Sequence, residues 1–177
     1  MKSIRQILIP MVVLAFAVGS LYADNKYVGV TKCKACHSVE KMGGLAYKVW
    51  EKTAHAKAFE TLKTKEAAEF AKKKGLTKPA SESPECLKCH VAGGGTAPEV
   101  KKEEGVTCEA CHGAASGYLS LHNKKTPADK EKAMAAGLVI DKEGKVCLTC
   151  HNSESPTFKG FKFAEMWKKI EHEGPKK

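Results

Sequence analysis

The chain has 177 residues with 30 Lys+Arg against 20 Asp+Glu and 7% aromatics, a length for one domain or at most two small ones. A 42% apolar fraction is too high for a disordered chain. No long apolar run follows residue 23, which excludes a polytopic membrane protein.

In chain order, Lys2 and Arg5 precede an apolar stretch from Ile7 to Val18, and Gly19, Ser20 and Ala23 then supply small residues before Asp24. This is the charged, apolar, small-residue order of a secretory signal peptide over residues 1–23, cut near Ala23/Asp24. Pro10 and the short apolar centre weigh against an uncleaved anchor. The expectation is an exported, periplasmic chain of residues 24–177, one domain with no stable membrane insertion after processing. Its formal charge is +8, from 28 cations against 20 anions. Arg5 is the only arginine, so the mature cations are lysines, which lack the two-pronged guanidinium that grips base edges; nucleic acid is not an expected partner.

Helical patterns are expected over about 45–63, 65–74, 128–136 and 161–172, short and rich in lysine and alanine. Gly75, Pro79, Ser81, Ser83 and Pro84 mark one linker, and Gly93 to Pro98 another. No alternating strand pattern stands out. The predicted fold is mainly α with extensive loops.

All 8 cysteines fall in four identical units: Cys33-Lys34-Ala35-Cys36-His37, Cys86-Leu87-Lys88-Cys89-His90, Cys108-Glu109-Ala110-Cys111-His112 and Cys147-Leu148-Thr149-Cys150-His151. Two thiols three positions apart can add to the two vinyl groups on one edge of a haem, and the adjacent imidazole can swing beneath the ring to bind iron. Two four-thiolate zinc sites would have no use for a histidine after every pair. Disulfides within such short loops would staple nothing. A thioredoxin-like redox pair would need a strand-helix setting that the pattern lacks. The reading is four covalent haem c groups, with the cysteines as thioether links and His37, His90, His112 and His151 on iron. Fewer than 40 residues of mature chain per haem leave little room for a side-chain core, so the haems themselves are expected to form it.

His55, His122 and His172 remain, and four haems present eight axial positions. His55 lies on the first predicted helix beside Trp50, Ala54, Ala58 and Phe59. His122 follows a haem motif by a short Gly- and Ser-containing turn, and His172 ends the last predicted helix after Phe163, Met166, Trp167 and Ile170. Seven histidines leave one axial position without one, for which Met42, Met134, Met166 or a lysine are the alternative ligands.

The sequence resembles the cytochrome c-554 family of tetrahaem proteins at Trp50 and Thr53-Ala54-His55-Ala56-Lys57-Ala58, and at Cys89-His90-Val91 with Gly93 and Gly95. It does so again from Gly105 through Cys108-Glu109-Ala110-Cys111-His112 to Gly113, and at Phe161-Lys162-Phe163-Ala164-Glu165-Met166. The resemblance implies that His55, His122 and His172 are distal ligands. By it, His55 crosses to the third haem, His122 returns to the first, and His172 caps the fourth. It leaves the second haem, on His90, with an open position, approached by a Pro-aromatic segment that Pro156 and Phe158 can supply.

The expected function is a periplasmic electron carrier. Bis-histidine ligation keeps iron six-coordinate in both oxidation states, and a lysine-rich surface steers docking to an acidic partner face. The resemblance implies a multihaem oxidoreductase as donor, and another cytochrome or a quinone-linked protein is the expected acceptor. The alternative is enzymatic: an open haem at His90 could bind a small ligand such as nitric oxide, nitrite or peroxide and reduce it. No distal arginine or spare histidine is at hand to assist, and no signalling domain follows to suggest a gas sensor. Four haems also change the charge. With both propionates ionised, each contributes about −1 ferric and −2 ferrous, taking the mature +8 to about +4 oxidised and about 0 reduced.

Overall fold

In the computed structural model, residues 24–121 and 126–173 are described. The signal peptide expected over residues 1–23 and the candidate ligand His122 lie outside them. Nine short α-helices are found among the described residues, with no strand. They are α1 Val30–His37, α2 Glu40–Gly43, α3 Ala46–Trp50, α4 Ala58–Thr61, α5 Lys65–Lys73, α6 Pro84–His90, α7 Cys108–His112, α8 Pro127–Ala135 and α9 Phe163–Trp167. The mainly helical fold with long connections is as expected. Among the described residues no helix is long and apolar enough to cross a membrane.

Two helices follow their patterns closely because each begins on a side-chain cap. Thr64 accepts the amide of Ala67 at 3.2 Å to open α5, and Thr126 accepts that of Asp129 at 3.1 Å to open α8, with Pro127 in the first turn. The helix expected over 45–63 is instead cut in two. Trp50 donates its indole Nε1–H to Val106 O at 2.8 Å, Thr53 Oγ1 donates to Trp50 O at 2.8 Å, and His55 O accepts the amide of Val106 at 3.0 Å. A long-range bond at His55 O and a local one at Trp50 O thus use carbonyls that a continuous helix would need for itself. The last helix likewise stops at Trp167 rather than reaching His172, and a turn carries Lys169 to Glu171 back onto Met166 and Trp167.

Side-chain packing forms two small clusters. One gathers Phe59, Leu62, Ala71, Ala80, Leu87, Val91, Ala92 and Val100 around α4–α6. The other joins Ala115, Tyr118 and Ala133. Between them α1 packs on α2, α3 and α7, and α4 on α6, which brings the first and third Cys-x-x-Cys-His units together.

Candidate functional site

Three of the four motifs ride on helices, and each of those three ends at its histidine. The ring nitrogens are then oriented by backbone carbonyls. His37 Nδ1 lies 2.7 Å from Gly43 O at the end of α2. His90 Nδ1 is 2.8 Å from Ala58 O and 3.1 Å from Thr61 Oγ1, both on α4. His112 Nδ1 is 2.8 Å from Val139 O, and the Val139 amide returns a bond to His112 O at 2.9 Å. A carbonyl only accepts, so each Nδ1 carries the hydrogen and Nε2 keeps the lone pair that binds metal.

The fourth motif is built differently. It is a tight 3-10 turn over Cys147–Thr149, prepared by Asp141, whose carboxylate accepts the amides of Glu143, Gly144 and Val146 at 2.8, 3.0 and 2.6 Å. The ring of His151 is set by Phe161, stacked on it at 4.8 Å between centroids and 17° between planes.

The cysteines connect the motifs in sequence. Cys33 lies beside Cys108, Cys111 near Cys147, and Cys150 beside Cys89. The spatial order of motifs is therefore first, third, fourth, second. None of the eight cysteines is in a disulfide. Burial pushes the Cys89 and Cys111 thiols up to about 11, so they are held as neutral thiols. Among the described residues no group of three or more His, Cys, Asp or Glu side chains could hold a metal ion. The arrangement instead presents imidazoles in pairs, which is what a metal with its equatorial positions already filled by a macrocycle requires.

Two such pairs are present among the described residues. His55 faces His151 with ring centroids 6.0 Å apart and planes at 70°. His112 faces His172 at 6.0 Å and 73°. An iron between two imidazoles, with each metal–nitrogen bond about 2 Å and each centroid about 1 Å behind its nitrogen, sets the rings about 6 Å apart. Burial, and then the charge of His151, hold the His55 imidazole below its usual range, which favours the neutral, ligating form. Burial does the same for His151.

These pairs correct the partners that the family resemblance implied. His55 stands opposite the fourth motif's histidine rather than the third's, and His172 opposite the third's rather than the fourth's. The helix break after Trp50 turns His55 out beside Val106, while Phe161 occupies the face of His151 and the turn after α9 delivers His172 elsewhere. An open cavity of about 590 Å³, lined by Glu40, Leu45, Val49, Trp167 and His172 among others, lies beside that second pair. Its volume is in the range of cofactor sites.

The alternative ligands Met42, Met134 and Met166 are exposed. The segment after the fourth motif, which carries Pro156 and Phe158, is tied to the second: Lys88 pairs with Glu154, and Lys74 Nζ donates to Glu154 O at 3.0 Å. Sequence reasoning gave no role to Glu109, Phe161 or Val106. Glu109 stood inside a motif, yet its residue type carries no sign that it is buried.

Comparison with known proteins agrees. The family described as cytochrome c554 and c-prime matches residues 32–113. The cytochrome c-554 of Nitrosomonas europaea is 34% identical over 160 residues, which cover 81% of this chain. The match spans 65% of that relative's length. No solved structure matches. In its motifs and in these two matches, the chain is similar to the cytochrome c-554 family of c-type cytochromes.

Proposed function

We propose that this chain is an exported, periplasmic electron carrier holding four haem c groups, one at each Cys-x-x-Cys-His unit, which together supply most of its core. Cys33 and Cys36, Cys86 and Cys89, Cys108 and Cys111, and Cys147 and Cys150 bear the thioether links. His37, His90, His112 and His151 are the proximal ligands, and His55, His172 and His122 the distal ones. The observation that carries the reading is the pair of 6.0 Å imidazole separations. Bound haem supplies a one-electron couple at iron. The protein's part is to fix each imidazole through Gly43, Ala58, Val139 or Phe161, so that little moves when the electron arrives.

The motif order first, third, fourth, second supplies one continuous path, from the haem on His37 to the haem on His90. His90 faces no other histidine ring among the described residues, which supports an open axial position there. An electron-donating multihaem oxidoreductase and an acceptor with an acidic docking face fit the lysine-rich surface.

Intact mass of the purified holoprotein, followed by low-temperature EPR with and without nitric oxide or cyanide, tests the reading. Four haems are expected, three low-spin and one high-spin signal that changes with ligand. A mass accounting for fewer haems would overturn the count. Four low-spin haems indifferent to ligand would overturn the open position, and reductive turnover of nitric oxide would shift the conclusion from carrier to enzyme.

A further inference from the structure

Glu109 is the one charged residue among the buried side chains of the described residues, at 1% exposure. It stands between the two cysteines of the third motif. Its Oε1 accepts the amides of Val28 and Ala115, both at 2.9 Å, and its Oε2 those of Gly29 at 3.0 Å and Val28 at 3.1 Å. Every contact is a donor, so the group is held as the carboxylate. None of the ion pairs found among the described residues involves it.

Val28 and Gly29 lead directly into α1, which carries the first motif. The same two segments meet again where Lys26 N donates to Ser116 Oγ at 2.8 Å and Ser116 N to Lys26 O at 3.1 Å. Glu104 adds a second carboxylate contact, taking the Val30 amide at 3.2 Å. One buried carboxylate therefore clamps the helix of the first motif to the helix of the third, which pack on each other.

The charges beside the other two motifs are arranged otherwise. Lys88 and Glu154 neutralise each other, with side chains 52% and 65% exposed, and Lys74 and Glu85 are also exposed. Asp141, half-buried, is satisfied by three amides within its own loop. Solvent and salt screen exposed charges, whereas a buried anion acts through a lower dielectric. Reduction adds a negative charge to a haem, so a fully buried anion with no cation paired to it disfavours reduction.

Taking the tetrahaem reading as its basis, we propose that Glu109 is a positioning residue. It fixes the contact between the haems on His37 and His112, and its buried charge keeps their potentials below those of the haems on His90 and His151. Electrons placed on the first and third haems are thereby driven toward the second.

The test is a redox titration of holoprotein followed by visible and EPR spectra. In Glu109→Gln, two of four potentials should rise and two stay, while magnetic coupling between the first and third haems weakens. Glu109→Asp keeps the charge on a shorter arm: its potentials should stay low while the coupling changes. Intact mass counts the haems in each variant, so a failure of the tetrahaem reading registers separately. Unmoved potentials in Glu109→Gln with all haems retained would overturn the proposal. If that variant does not mature, the wild type decides. There His172→Met marks the third haem by its altered signal, and finding that signal's parent among the two highest wild-type potentials would equally overturn it.

Discussion

Gly105 offers the sharpest test of how His55 is positioned. Its backbone sits at φ 68 and ψ −140, a region open essentially to glycine, where a residue with a Cβ is strained by about 1–3 kcal/mol. A Cβ there would also stand 2.6 Å from His55 O and 3.2 Å from Ala56 O, both backbone atoms that cannot swing aside. Relief requires His55 to retreat, which breaks the 3.0 Å bond from Val106 N to His55 O, worth about 1 kcal/mol. Gly105→Ala should therefore cost about 2–4 kcal/mol, and at about 2–4 °C per kcal/mol for a chain of this size the holoprotein should melt about 5–15 °C lower. Gly75→Ala is the control. Its φ is +71 but nothing lies within 4 Å of the added Cβ, so it carries the backbone cost alone. Because His55 faces His151, only Gly105→Ala should also disturb one low-spin EPR signal. Equal melting of the two variants with unchanged EPR spectra would show that the close approach does not position His55.

Phe161→Ala removes the ring stacked on His151 at 4.8 Å. The orientation of that imidazole should then spread, broadening one low-spin signal while those governed by Gly43, Ala58 and Val139 stay sharp. Asp141 is held below the usual carboxylate range by the Val146 amide foremost, then those of Glu143 and Gly144. A carboxyl depressed in the folded state contributes order above its ordinary value of 3.8 and loses it as pH falls through the lower folded value. Hydrogen-exchange protection at Glu143, Gly144 and Val146 should accordingly hold at neutral pH and fall in acid, and Asp141→Asn should lack the acid-dependent part.

The chemistry of this chain was legible where it is local. Four motifs are written within five residues each, and α5 and α8 begin at Thr64 and Thr126 as their patterns indicate. The break after Trp50 was not legible, because its causes lie near residue 106, and helix propensity cannot register a carbonyl 56 residues away. The same holds for the distal partners. Each facing pair joins histidines 60 or more residues apart, and no periodicity encodes which two rings will face each other. Glu109 has the same character: its role rests on amides 80 residues distant.

What the polypeptide lacks is as informative as what it places. Among the described residues five of the twelve buried apolar side chains are alanines, and the largest fully buried side chains are Glu109, Thr107 and Ser83. Val39, Met42, Leu45, Val139, Ile140, Leu148, Phe158 and Met166 are exposed, each within ten residues of a haem motif or a paired histidine. Such side chains are the natural lining of apolar discs, and covering them contributes about 25 cal/mol per Å². Chain entropy opposes folding at about 1–2 kcal/mol per ordered residue, and two clusters of this size do not offset it. Chain produced without haem attachment should therefore show little near-UV circular dichroism, bind a hydrophobic dye and lack a cooperative melt. A sharp, dye-silent transition in that haem-free chain would show that the side chains suffice, and that the haems are cargo on a finished fold rather than its core.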